Sequence, residues 1–111
     1  MKNELPSCPA QITLSFINNK WKVLILAELM LEDTQRFNEL RKALPKISQK
    51  ILTQNLRIME DIGLVNRKVY AEVPPRVEYS LTYLGLSLRP IMDAMINWGE
   101  EYRAMISKDK K

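Results

Sequence analysis

The stretch from Ser48 to Leu81 does most to limit what this chain can become. A helical pattern opens on a hydroxyl and closes on a glycine. Two β-branched and aromatic runs follow it directly, joined through adjacent prolines. Ser48 is placed to cap a helix running through Ile62, and Gly63 to end it in a left-handed conformation. Leu64 to Ala71 and Arg76 to Leu81 then read as strands, with partial alternation in Val77, Tyr79 and Leu81. Glu72-Val73-Pro74-Pro75 links them as a stiff loop, because prolines cannot donate ladder hydrogen bonds. A helix that feeds straight into a hairpin needs other helices to bury both, and 111 residues suffice for one core only.

Those helices are legible on either side. Ser7 before Cys8-Pro9 reads as a hydroxyl cap with proline in the first turn, and Ile12, Phe16 and Ile17 share one face. Asn18-Asn19 suits a tight turn, since asparagine tolerates left-handed backbone. From Trp21 to Leu31 the pattern is helical, with Trp21, Leu24, Ile25 and Leu29 at three- and four-residue spacing; apolar nearly all round, it should be the buried central helix. Glu32 to Gln35 is a polar break. A short helix runs from Asn38, its expected cap, to Leu44, with Phe37, Leu40 and Leu44 facing inward, and Pro45-Lys46-Ile47 stops it. From Thr82 to about Ile106 the chain is helical again, with Pro90 kinking or restarting the helix. The expected fold is mainly α with a small β-hairpin wing: a winged helix-turn-helix with terminal dimerisation helices. It forms one domain over residues 7–106, with flexible ends at 1–6 and 107–111.

Composition removes several functions. The absence of histidine excludes a His-based triad or metal site, and one cysteine excludes an intrachain disulfide or a cysteine-rich zinc site. The three glycines are scattered, so there is no phosphate-cradling loop. No nucleophile, base and orienting group can be assembled, so the chain is not expected to be an enzyme or to carry a cofactor or metal. The longest apolar run, Val23 to Leu31, is broken by Glu28 and is too short to cross a bilayer; it lies too deep for a signal peptide. A reducing cytoplasm is the expected location.

The helix from Ser48 divides by face. Ile51, Leu52, Leu56, Met59 and Ile62 form an apolar stripe. Lys50, Thr53, Gln54 and Arg57 fall together on the opposite side, and Ser48 and Gln49 project from the first turn. These side chains suit a major groove: Lys and Arg meet guanine or phosphate, Gln meets adenine, and Thr meets phosphate or a thymine methyl. Between Arg36 and Arg57 six cations face only Glu39, a local charge of +5 against +4 for the whole chain, so the remainder sums to −1. On the hairpin, Arg67, Lys68 and Arg76 add positive charge, with Arg76 placed for a minor groove or phosphate; Glu72 and Glu78 oppose it. The same face on an interaction module would instead meet an acidic protein without reading DNA.

Taken together, Cys8-Pro9, Lys20-Trp21-Lys22 with Leu24-Ile25-Leu26, Arg36-Phe37-Asn38-Glu39-Leu40, Ile47-Ser48-Gln49-Lys50 with Leu52-Thr53-Gln54, and Glu72 through Thr82 with Gly85 resemble the HxlR-type winged helix-turn-helix regulators, relatives of the MarR group. The likeness covers nearly the whole chain. It implies a bacterial or archaeal homodimer, nucleoid-associated when bound, that occupies pseudo-palindromic operators in double-stranded DNA, often as a repressor. One departure is Asn18-Asn19, where the family commonly has Gly-Gly. The DNA-binding set is then Arg36, Ser48, Gln49, Lys50, Thr53, Gln54, Arg57, Lys68 and Arg76.

A second copy is also indicated by the last helix. Leu84, Leu88, Ile91, Met95, Trp98, Tyr102 and Met105 step by four and three in one stripe, widened by Met92, Ile96 and Ile106. One small domain needs only part of it; the surplus, with Ile12 and Phe16, is the expected dimer interface. A pocket lined by Phe16, Trp21, Trp98 and Tyr102 at that interface is a further reading. Cys8 lies at a helix start, where unpaired N–H groups favour anions. Because the family includes redox and electrophile sensors with a cysteine before this proline, Cys8 is the candidate site for an oxidant or small-molecule electrophile. The competing reading is a structural cysteine, since no second cysteine is present to resolve an oxidised thiol.

Overall fold

A computed structural model describes residues 4–109. In chain order the elements are α1 (Pro9–Phe16), α2 (Lys20–Leu31), β1 (Gln35–Arg36), α3 (Phe37–Ala43), α4 (Gln49–Asp61), β2 (Val65–Tyr70), β3 (Arg76–Leu81), the single turn α5 (Tyr83–Leu86) and α6 (Arg89–Asp109). The strands form one antiparallel sheet in the order β1-β3-β2. This is the mainly α, winged helix-turn-helix arrangement expected from the sequence, with α3 and α4 as the helix pair and β2–β3 as the wing.

The core gathers Ile25, Leu26 and Leu29 of α2, Leu40, Leu44 and Ile47 around α3, Leu52, Leu56 and Met59 of α4, then Leu64, Val65, Leu81 and Met92. Strand β3 and helices α3, α4 and α6 all meet at α2, as its all-round apolarity demanded. The fit is incomplete, however: Leu24 and Leu31 are exposed, and Lys22 is buried with its Nζ donating to Asn18 Oδ1 at 2.9 Å.

Local chemistry sets the boundaries, and several differ from the sequence reading. Cys8, not Ser7, is the N-cap of α1, with Pro9 at the first helical position and no side-chain cap. Asn18-Asn19 makes no left-handed turn. Every non-glycine φ is negative among the described residues, and Asn19 is extended, its Oδ1 accepting from Lys22 N–H at 3.0 Å. Asparagine can satisfy a helix start directly, so the special backbone was unnecessary. At α3 the cap is Arg36 rather than Asn38; Glu39 reaches back to accept from the Arg36 N–H at 2.7 Å. Gln35, read as the end of a polar break, and Arg36 add a short strand beside β3, paired Gln35 with Tyr79 and Arg36 with Glu78.

The start and stop of α4 are as expected. Ser48 Oγ accepts from Ile51 N–H at 3.1 Å, and Gly63 has φ +88°. The hairpin register pairs Tyr70 with Arg76 and Val65 with Leu81. The last helical stretch is two helices, the restart that Pro90 offered. Thr82 caps α5, and Pro90 sits in the first turn of α6, where its missing N–H costs nothing. Leu84 therefore lies on α5, off the stripe of α6. Gly85 packs on the Leu64 carbonyl, where any Cβ would collide. The long helix runs through Asp109, so Ser107 to Asp109, expected as part of a flexible end, are helical. The rest of the expected flexible ends, residues 1–3 and 110–111, falls outside the described residues; Glu4 to Pro6 have no regular structure.

Candidate nucleic-acid interface

The recognition candidate α4 is fixed from behind by Leu52, Leu56 and Met59, all buried. One polar residue shares that side. Asn55, 7% exposed, donates to the Ile51 carbonyl at 2.9 Å and accepts from Asn19 Nδ2 at 3.3 Å, tying α4 to the start of α2. With its inner face anchored, the outer face is free. Ser48, Gln49, Lys50, Gln54 and Arg57 are exposed; Thr53 is half-buried and turns toward the hairpin. Lys50, Gln54 and Arg57 follow one another at four- and three-residue spacing, which makes a single exposed ridge.

Thr53 instead lines a cleft of about 240 Å³ with Leu56, Arg57, Glu60, Arg67 and Tyr79. Arg67 and Tyr79 are directly opposed across the hairpin, and Arg67 Nε lies 3.3 Å from Glu60 Oε1. Burial pushes the Tyr79 phenol above its ordinary pKa, with the Arg67 charge pulling it down, Glu60 raising it and Arg57 lowering it. Tyr79, Glu60 and the partnering of Arg67 were not singled out from sequence. The signal was present in the hairpin register, which pairs Tyr70 with Arg76 around the proline loop and so sets Arg67 against Tyr79.

The wing is less simply cationic than its composition implies. Arg76 stacks over the Tyr70 ring at 3.9 Å and meets Glu72 at 3.2 Å and Glu78 at 3.6 Å. Its Nε is buried without a hydrogen bond. The side chain is thus folded onto its own hairpin instead of reaching outward. Lys68 is exposed, with Nζ 5.0 Å above the same ring. Arg36 is exposed and shares a groove of about 490 Å³ with Phe37, Asn38, Glu39, Pro75, Arg76 and Val77, so β1 brings it to the wing tip. Arg41, Lys42 and Lys46 are also exposed, which leaves the cationic stretch at the surface.

The other candidate residues separate into two groups. Ile12, Phe16 and Leu88 are half-buried, with Phe16 and Leu88 packed against the core. Ile91, Met95, Trp98, Tyr102 and Met105 are exposed along α6; Trp98, at 66%, stacks on Tyr102 with ring centroids 5.5 Å apart. Phe16 and Trp21 pack against the core. Cys8 is exposed. Among the described residues no cluster of three or more His, Cys, Asp and Glu side chains could hold a metal ion, and no helix is long and apolar enough to cross a membrane.

Comparison with known proteins agrees with this geometry. The family described as HxlR-like helix-turn-helix matches residues 16–107. The HTH-type transcriptional regulator YdeP of Bacillus subtilis is 45% identical over 106 residues, covering 96% of this chain and 82% of its own. A Methanothermobacter thermautotrophicus HTH-type transcriptional regulator is 47% identical over 95 residues, covering 86% of this chain and 72% of its own. Among solved structures, the redox regulator HypR in its reduced form superposes with a TM-score of 0.84 at 42% identity, over 91% of this chain and 99% of that one. Its oxidised form gives 0.78 at 46% identity, over 85% and 96%. An anchored α4 with a free polar ridge, a proline-tipped wing and these matches together place the chain in the HxlR-like helix-turn-helix family of transcriptional regulators.

Proposed function

We propose that this chain regulates transcription by binding double-stranded DNA sequence-specifically as a homodimer, with α4 of each subunit in a major groove. The observation that carries this reading is the exposed ridge Lys50, Gln54 and Arg57, continued by Ser48 and Gln49, within a stretch holding more than the chain's whole net charge. Two-fold pairing through α6 would set the two helices about 34–36 Å apart, matching half-sites on one face of a pseudo-palindromic operator. The elongated subunit supports such pairing. Its radius of gyration is 16.3 Å, whereas about 13 Å suits a compact chain of this length.

Selection of bound sites from random duplexes, followed by gel retardation, tests the reading. The expected product is an inverted repeat bound with steep salt dependence. Absence of specific retardation would favour the interaction-module alternative. Repression is the expected outcome when the selected site overlaps a promoter, and rising transcription on addition of the protein would reverse that part.

The regulator is further proposed to respond through Cys8. Its exposed thiol at the start of α1 and the likeness to HypR in two redox forms support this. Two Cys8 thiols of a dimer would join as a disulfide, passing two electrons and two protons to an oxidant such as diamide. An electrophile would instead alkylate the thiolate. Unchanged DNA affinity with Cys8 modified, as seen by mass spectrometry, removes the switch.

A further inference from the structure

We infer that the cleft between α4 and the β2–β3 hairpin is the seat of one DNA backbone phosphate, held by Thr53, Arg57, Arg67 and Tyr79 and gated by Glu60. The inference rests on the DNA-binding reading and names a contact within it. Thr53, Arg57 and Glu60 occur at i, i+4 and i+7 on α4, so one stripe of that helix looks into the cleft. Arg67 and Tyr79, opposed across the hairpin, form the other wall. Four of the six lining residues are hydrogen-bond donors, two of them guanidinium forks suited to a phosphate. Only Glu60 is a dedicated acceptor.

The phenol is part of this arrangement. Burial disfavours its ionised form, so at neutral pH Tyr79 presents an O–H toward a cleft with two cations. Arg57 belongs to both the exposed ridge and the cleft. A strand rising from the groove that α4 occupies therefore passes this opening on its way to the wing. Glu60 holds Arg67 at 3.3 Å, and a phosphate must take its place as the partner of the guanidinium. A small free anion gains little by that exchange. A phosphate on a duplex already held by the ridge enters at high local concentration.

The test uses the whole protein and its selected DNA site. A single methylphosphonate, which neutralises one phosphate, is walked along each strand against wild type, Arg67→Gln, Tyr79→Phe and Glu60→Gln. One position per half-site should weaken wild-type binding about tenfold. Arg67→Gln should bind unmodified DNA with a similar loss and a salt slope smaller by about one per subunit, and should be indifferent to that methylphosphonate. Tyr79→Phe should show a smaller loss at the same position, and Glu60→Gln should bind several-fold tighter. Arg67→Lys, which keeps the charge, should restore most of the salt slope; a purely structural role for Arg67 predicts no such rescue.

If wild type is retained by DNA but Arg67→Gln and Tyr79→Phe match it in affinity and slope, the phosphate seat is overturned alone. The same holds if their losses are equal at every methylphosphonate position. If wild type retains no DNA, the seat and the DNA-binding reading fall together. Inorganic phosphate, titrated while the Tyr79 ring resonances are followed, separates the two sources of this chemistry. Saturable shifts that release DNA would give the cleft to a free phosphate and overturn the proposal.

Discussion

Helices α4 and α6 are both two-faced, yet the chain treats their apolar faces differently. In α4 the stripe of Leu52, Leu56 and Met59 is buried within the subunit, which fixes the helix and leaves its cationic ridge outside. In α6, among the described residues, only Met92 is buried; Ile91, Met95, Trp98, Tyr102 and Met105 are exposed. Burial of an apolar face is worth about 25 cal/mol per Å², so a stripe this long and this bare leaves stabilisation unrealised within the subunit. One helix is completed by its own chain and can present chemistry. The other leaves its apolar stripe uncovered, and that stripe is the surface the proposed second copy would cover.

The comparison predicts opposite signatures for substitutions in the two stripes. Leu56→Ala, at a residue 2% exposed, removes packed volume that the core cannot refill, and should cost about 2–5 kcal/mol in chemical denaturation. The loss should be independent of protein concentration. Met95→Glu, in the stripe of α6, should leave the subunit folded but place a charge in the proposed dimer seam. Sedimentation should then report monomer, and operator affinity should fall about a hundredfold or more as two linked half-site contacts become one. A dimer that survives Met95→Glu, or a monomer that unfolds with it, would remove the contrast.

A third substitution probes the polar exception on the anchored side. Asn55→Ala removes the bond from Asn19 Nδ2 and opens a small void beside α2. About 1–3 kcal/mol of stability should go with it, again whatever the concentration. If Asn55 serves as a spacer only, the loss will be indistinguishable from that of an exposed alanine substitution on the same helix.

The two stripes were equally legible in the sequence, and their fates were not. Periodicity located α4, α6 and their faces because it depends on spacing alone, and Ser48, Gly63 and the proline loop have local chemistry that survives in any context. Burial depends on what the rest of the chain leaves uncovered. For that reason Leu88 and Phe16 turned inward while Trp98 and Tyr102 did not. Arg76 shows the same limit at the wing. Composition marked it as a cation on a hairpin, but Tyr70, Glu72 and Glu78 gather around it only once the register brings them together. The β1 pairing and the Asn19–Asn55 bridge are long-range in the same sense, and no window of sequence contains both partners.

On the exposed ridge of α4 the effect should be functional and smaller. Arg57→Ala should weaken operator binding about tenfold and flatten the salt dependence, with the thermal melt almost unmoved, because the side chain is exposed and no core atom depends on it. A collapsed melt would reassign Arg57 to the structure of the α4–hairpin cleft.

The smallest expected effect lies just beneath that ridge. Burial disfavours the Tyr79 phenolate, so the folded chain holds this proton to higher pH than the unfolded chain, whose tyrosines ionise near 10.0. Stability from the retained proton is therefore complete below pH 10, and is lost as pH rises through the higher folded value. Tyr79→Phe has no proton to lose, and its denaturation midpoint should fall less steeply than that of wild type above pH 10. Tyr102→Phe, out on α6, controls for the general loss of one phenol. Parallel alkaline limbs for wild type and Tyr79→Phe would mean that the cleft beside α4 is wetter than the burial of its tyrosine indicates.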